Sequence, residues 1–318
     1  MGVWGNMIIK MKEVYFMKYD LENINARFVI GSQKWQEMKN NPLVDEKVIP
    51  FSVADMEFKL APEITEGLKT FIDDNILGYA GTNKKYRESV CKWQQKHHDF
   101  TVDEKWLVET HSVVNAFFTA VKAFTQKGDG VMLFTPVYYP MYKAIEINQR
   151  KLVEIPLINN GMTYDIDWDL FTKKAKAIDT KMLILCSPHN PCGRIWTREE
   201  LTKISEICLT NDILVVADEI HADLIMPGFK HVSYGTISKE ALEHSIICTA
   251  PSKTFNLAGM QLSNVFIANE NYRNLFKAEQ ATDADFACSI LSYEACRLAY
   301  EYGEEWLDDL DAIYIDPL

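Results

Sequence analysis

The middle of the chain alternates between short, wholly apolar runs and amphipathic helical patterns. The runs are Val131–Phe134, Met182–Cys186, Ile213–Ala217, Ser245–Cys248 and Val265–Ala268. A strand covered on both faces needs no polar side, so such runs predict a parallel sheet between helix layers. Helical spacing fills the gaps. Ser112, a good N-cap, precedes Val113, Val114, Phe117, Val121 and Phe124, while Thr197 and Glu200 form a capping box ahead of Leu201, Ile204 and Ile207. Asp167 is a further cap candidate, before Leu170 and Phe171. The order strand, helix, strand predicts an α/β fold: three layers around a mostly parallel sheet, with right-handed crossovers. Earlier, Ala61–Asp73 predicts an amphipathic helix with Pro62 in its first turn, and Tyr86, Val90 and Trp93 mark another. Later, Ala284–Leu307 predicts a helix pair or one long helix. His97 and His98 are expected as a solvated pair.

With 318 residues, 47% of them apolar, the chain can bury a large core. Its formal charge of −12 and lack of a Lys/Arg-rich run argue against nucleic-acid or anionic-membrane partners. Seven scattered cysteines with no CxxC pair argue against a disulfide framework and a zinc module, and no metal site is expected. No apolar run reaches the roughly 20 residues of a spanning helix, and the first residues lack a signal-peptide pattern. The expected location is the cytoplasm.

Common α/β chemistries can be screened by motif. GxGxxG after a strand, GxxxxGK[ST], GxSxG and HExxH are all missing. What remains is polar residues just beyond the strand ends, where open α/β sheets bind ligands. They are Tyr138 and Tyr139 after the first run, Asn190 after the second, Asp218 and His221 after the third, and Ser252 and Lys253 after the fourth. This inventory suits pyridoxal 5′-phosphate (PLP). A lysine bonds its aldehyde, a carboxylate holds the proton of its pyridinium nitrogen, a donor meets its phenolate oxygen, an aromatic stacks on its ring, and a helix N-terminus takes its phosphate.

The segments Asn190-Pro-Cys-Gly, Asp218-Glu-Ile-His and Ser252-Lys253-Thr-Phe-Asn-Leu-Ala-Gly, in that order, resemble fold-type I PLP enzymes of aminotransferase class I/II. Val53-Ala54-Asp55-Met56-Glu57-Phe58 resembles more narrowly the C–S lyases of the MalY/PatB type, often called cystathionine β-lyases. Met17-Lys-Tyr-Asp20, Lys34-Trp35 and Gly303-Glu-Glu-Trp-Leu307 look similar to other segments of that group. The resemblance spans about residues 17–310 and implies α,β-elimination of cysteine S-conjugates to pyruvate, ammonia and a thiol. Transamination, or PLP binding without turnover, are the alternatives that the same motifs allow.

The resemblance implies roles. Lys253 becomes the attachment and proton-transfer lysine, Asp218 the partner of the pyridinium nitrogen, and Asn190 the donor to the phenolate oxygen. His221 falls near that oxygen or is structural. Tyr138, rather than Tyr139, stacks on the ring unless it only packs in the core. Ser112, the Val113 amide and Ser252 meet the phosphate, Ser112 also as a cap. Tyr79 reaches the phosphate of a partner subunit, which implies a homodimer. The implied division is an extension over 1–16, an N-terminal arm over 17–60, a large PLP-binding domain over 61–282, and the start of a small domain over 283–318. That small domain is expected to be truncated, without the arginine that grips a substrate carboxylate; Arg297 falls too early to match. Ser52 stands where the group usually has a tryptophan.

Overall fold

The computed structural model describes residues 18–21, 23, 31–39, 41–42, 50–285 and 287–315, the last two by backbone alone. The expected extension over 1–16, and Met17, lie outside the described residues. The strands are β1 (Leu107–Thr110), β2 (Gly130–Thr135), β3 (Lys151–Pro156), a short pair β4 (Ile158–Asn159) and β5 (Tyr164–Asp165), then β6 (Thr180–Cys186), β7 (Leu214–Asp218), β8 (Ser245–Thr249) and β9 (Ser263–Phe266). The helices are α1 (Gln33–Lys39), α2 (Pro62–Asp74), α3 (Lys84–His98), α4 (Val113–Phe124), α5 (Tyr139–Ile147), α6 (Trp168–Ala175), α7 (Arg198–Thr210), α8 (Lys239–Glu243), α9 (Pro251–Thr254), α10 (Glu270–Thr282), α11 (Ile290–Tyr302) and α12 (Glu304–Ile315).

Seven strands make one sheet in the order β1-β9-β8-β7-β6-β2-β3. Neighbours from β8 to β3 are parallel, whereas β9 runs antiparallel to both β8 and β1. The run at Val265–Ala268 was expected to join as another parallel strand. It forms instead as Ser263–Phe266 and reverses, because the link from β8 is spent on two one-turn helices, α9 and Ala258–Met260, and holds no helix long enough to run back along the sheet as a parallel crossover does.

The apolar runs are continuous because each strand feeds two cores. On β6, Leu183 and Leu185 pack on one face while Met182, Ile184 and Cys186 pack on the other. On β7, Val215 and Ala217 oppose Leu214 and Val216 in the same manner. One core takes α2, α3, α7 and α11; the other takes α4, α5 and α10.

The caps form as the sequence predicts. Ser112 accepts the Asn115 N–H at 3.1 Å. Thr197 and Glu200 complete a reciprocal capping box on α7, and Asp167 caps α6. Each such cap contributes about 1 kcal/mol. Ala284–Leu307 resolves into a helix pair, α11 and α12, but helix begins only at Ile290.

The solvated-pair expectation for His97 and His98 is overturned. His98 is buried with Nε2 2.7 Å from Asp223, and the His97 ring stacks on Trp93 at 3.8 Å between centroids. Helix α3 turns its C-terminal end into the protein here, where a buried carboxylate from the β7 side awaits a donor.

Candidate active site

Strands β2, β6, β7 and β8 are parallel, so their carboxyl ends share one rim. There the register sets Cys186, Asp218 and Cys248 side by side on three neighbouring strands. A cavity of about 520 Å³ opens over this rim. Eight of the nine candidate residues line it: Lys253, Asp218, Asn190, His221, Tyr138, Ser112, Val113 and Ser252. Tyr139 lines it too. Tyr79 does not; it is fully exposed, in a separate hollow with Leu77, Gly78 and Ile290.

Asp218 is the last residue of β7, and its backbone is tied on both sides. Ser187 N–H donates to its carbonyl at 2.9 Å, and the following Glu219 N–H donates to Cys248 O at 2.8 Å. One side-chain oxygen accepts the Ile220 N–H at 3.2 Å. Burial pushes the Asp218 carboxyl up to about 7, with the neighbouring Glu219 charge adding to the effect and the Ile220 amide and Lys253 opposing it. Its flanking thiols offer no positive charge. Among the described residues this carboxylate makes no ion pair, and the Lys253 charge only partly offsets its burial.

Lys253 lies in α9, a single turn fixed by its neighbours. Thr254, the next residue, donates its hydroxyl to Asp223 at 2.6 Å. Asp223 also accepts from Trp93 Nε1 at 3.0 Å and from His98. The Lys253 amine donates to Ala54 O at 2.8 Å. Burial lowers its pKa from the ordinary lysine value, against the pull of Asp55 and Asp218. A desolvated lysine is a neutral nucleophile and base at lower pH than a surface one.

Asn190 follows β6; its N–H meets Cys186 Sγ at 3.3 Å. His221 is held down to about 4, by burial first and the Lys253 charge second, so it is a neutral imidazole beside the cavity at physiological pH. Tyr138 caps the approach to α5, half-buried, with its ring 5.4 Å from that of Tyr139. Ser112 and Val113 open α4, a helix of 12 residues pointing its N-terminus at the cavity. Unpaired amides there favour an anion.

Among the described residues no arginine lines the cavity. Arg297, on α11, is engaged by Glu294 at 2.9 Å and by Glu301. The cavity mouth includes Phe51, Ser52, Val53 and Ala54. Sequence reasoning missed how this segment is fastened, by Asn256 and Lys34, and missed Asp223. Asn256 lies inside the Ser252–Gly259 segment, yet nothing local pairs it with residues 200 positions earlier.

A mostly parallel seven-stranded sheet between helix layers, with this rim, is the fold of the PLP-dependent transferases. Residues 46–287 match the aminotransferase class I and II family, and the chain belongs to it. It is 38% identical over 262 residues to cystathionine β-lyase PatB of Bacillus subtilis, spanning 82% of this chain and 68% of that protein. The structure of cystalysin from Treponema denticola, which contains a PLP cofactor, superposes with a TM-score of 0.91 at 42% identity, covering 93% of this chain and 76% of that one. The PLP-bound C–S lyase of Staphylococcus hominis gives 0.83 at 30% identity, covering 92% and 73%.

Proposed function

We propose that the chain is a PLP-dependent carbon–sulfur β-lyase acting on cystathionine or related cysteine S-conjugates. One observation carries the cofactor: Lys253 and a buried Asp218, which makes no ion pair among the described residues, line one cavity at the sheet's rim. The kinship with PatB and with the C–S lyase of Staphylococcus hominis supports C–S cleavage over transamination.

PLP, when bound, supplies an electron sink for charge developing at the substrate Cα. The chain's residues do the rest. Asp218 would hold a proton at the ring nitrogen and so gain an ion-pair partner. Asn190 would donate to the ring oxygen, with His221 near it, and Tyr138 would stack on the ring. Ser112, the Val113 N–H and Ser252 take the phosphate. Lys253 is the attachment point and accepts the Cα proton. The pair left at Cα forms the Cα–Cβ double bond as the C–S pair leaves with the thiolate, and water converts the released three-carbon enamine to pyruvate and ammonia.

We infer a homodimer in which Tyr79 reaches the partner's phosphate site. Exposed Ile76, Leu77 and Tyr79 support it, being apolar surface that a second copy would cover. For domains, the proposal is an arm over 17–60, a large domain over 61–282, and 283–318 leading into a small domain. The start of that lead, α11, buries Tyr293, Cys296 and Leu298 in the large domain's core. Seven free cysteines support a reducing compartment, the cytoplasm. No helix among the described residues is long and apolar enough to cross a membrane.

The test is turnover of L-cystathionine by the PLP-loaded protein. Equal yields of pyruvate and thiol, with no keto acid added, are expected. Product that requires a keto acid and comes without thiol would make the chain an aminotransferase. Cofactor uptake with neither product would make it a binding protein.

A further inference from the structure

One wall of the cavity is an irregular segment. Residues 51–54 line the opening, and the chain continues through Phe58 without helix or strand. Among the described residues its backbone makes one turn bond, Asp55 N–H to Val53 O at 2.9 Å. Side chains tie it down from two sides.

Asn256, three residues after Lys253, makes the first tie. Its side-chain oxygen accepts the Met56 N–H at 2.9 Å, and its amide nitrogen donates to the carbonyls of Met56 and Phe58, each at 3.0 Å. Three bonds use both ends of the amide, so its orientation is fixed and neither Asp nor Leu can replace it. Asn256 itself has φ 55, in the left-handed region that Asn tolerates. Lys34 makes the second tie. It is 4% exposed, and its Nζ lies 3.0 Å from the Asp55 carboxylate, 2.5 Å from the Asp55 carbonyl and 2.5 Å from Glu57. Trp35 Nε1 donates to Glu57 at 2.9 Å. Just before the tied residues, Ala54 O accepts the Lys253 amine at 2.8 Å.

We infer that Asn256 is a positioning residue that holds the 53–58 segment against the Lys253 end of the cavity, with Lys34 as a second pin, and so sets the wall a substrate meets. The part concerning substrate rests on the lyase reading; the part concerning the wall does not. A loose wall must be ordered when the amino acid binds, and that cost weakens binding and raises KM before it slows the chemistry.

Asn256→Gly deletes the clamp and keeps the left-handed backbone. Hydrogen–deuterium exchange on the full chain, without PLP, is expected to quicken at 53–58 by about tenfold or more. With PLP, the visible band of the holoenzyme is expected to persist, KM for an S-substituted cysteine to rise about tenfold, and kcat to fall less than about threefold. A purely structural role would lower the melting temperature and leave KM alone. Unchanged exchange at 53–58 would overturn the pin, and quickened exchange with unchanged KM would overturn its role toward substrate. Should the glycine variant not fold, Asn256→Asp gives the same readouts, since it keeps the acceptor and turns an oxygen toward two carbonyls. If the wild type takes up no PLP, the lyase reading fails, while the exchange result still decides the pin.

Discussion

Asp223 and His98 meet carboxylate to Nε2 at 2.7 Å, and the same carboxylate takes the hydroxyl of Thr254, the residue next to Lys253, at 2.6 Å. Trp93 completes the set at 3.0 Å. One carboxylate therefore joins α3 to the turn that carries the lysine. Burial pushes the Asp223 pKa up, but His98, Thr254 and Trp93 outweigh it and leave the net value low. Asp223→Ala strands three buried donors and is expected to destabilise the fold by about 3–5 kcal/mol. Urea denaturation measures this; a loss under about 1 kcal/mol would refute it.

His221 sets a pH dependence. Its folded pKa is depressed to about 4 from the ordinary 6.5 by burial and Lys253. The unfolded chain takes up a proton below 6.5 that the folded chain refuses until about 4. Its contribution is thus full above that window and is lost as pH falls through it. The ligand-free wild type should lose stability across this range, and His221→Gln should lose less. Parallel curves for the two proteins would contradict the assignment.

Asp218 works in the opposite sense. Its folded pKa is raised to about 7, so between 3.8 and 7 the unfolded chain releases a proton that the folded chain keeps, and stability falls as pH rises. Asp218→Asn is expected to stabilise the ligand-free chain by about 1–2 kcal/mol at pH 8. The same change should lower turnover by about a hundredfold or more, as loss of a buried electrostatic partner does. A variant both less stable and fully active would refute the assignment.

Gly303 closes a tight contact next to the site's core. A Cβ there would stand 2.5 Å from the ring of Phe255 and 2.6 Å from Ala299 O. The carbonyl belongs to a helix and cannot swing away. Gly303→Ala should therefore destabilise by about 1–3 kcal/mol, measured by thermal or urea unfolding. No loss would show that α11 and α12 can shift apart freely.

The central strands and their rim were legible because burial on both faces leaves a local mark: Leu183 and Ile184 are both apolar for separate reasons. Strand β3 left a weaker mark. It is an edge strand whose exposed Lys151 and Glu154 interrupt the apolar pattern, so no run announces it. The direction of β9 is likewise invisible locally, since it depends on whether the link from β8 folds into a crossover helix. The placement of Lys253, Asp218 and Asn190 on one rim could be read because they lie at or just beyond strand ends. Asp223, His98, Lys34 and Asn256 could not, because each acquires its role from a partner distant in sequence. Two adjacent histidines at a helix end look solvated until the carboxylate 125 positions away is known.

The most direct test of the central claim adds PLP to the purified protein and follows visible absorbance, then reduces the mixture with borohydride and maps the labelled peptide. A visible band in the wild type, its absence in Lys253→Ala, and a cofactor mass fixed on Lys253 are the expected results. An equal band in the alanine variant, a label on another lysine, or no band in the wild type would contradict the account.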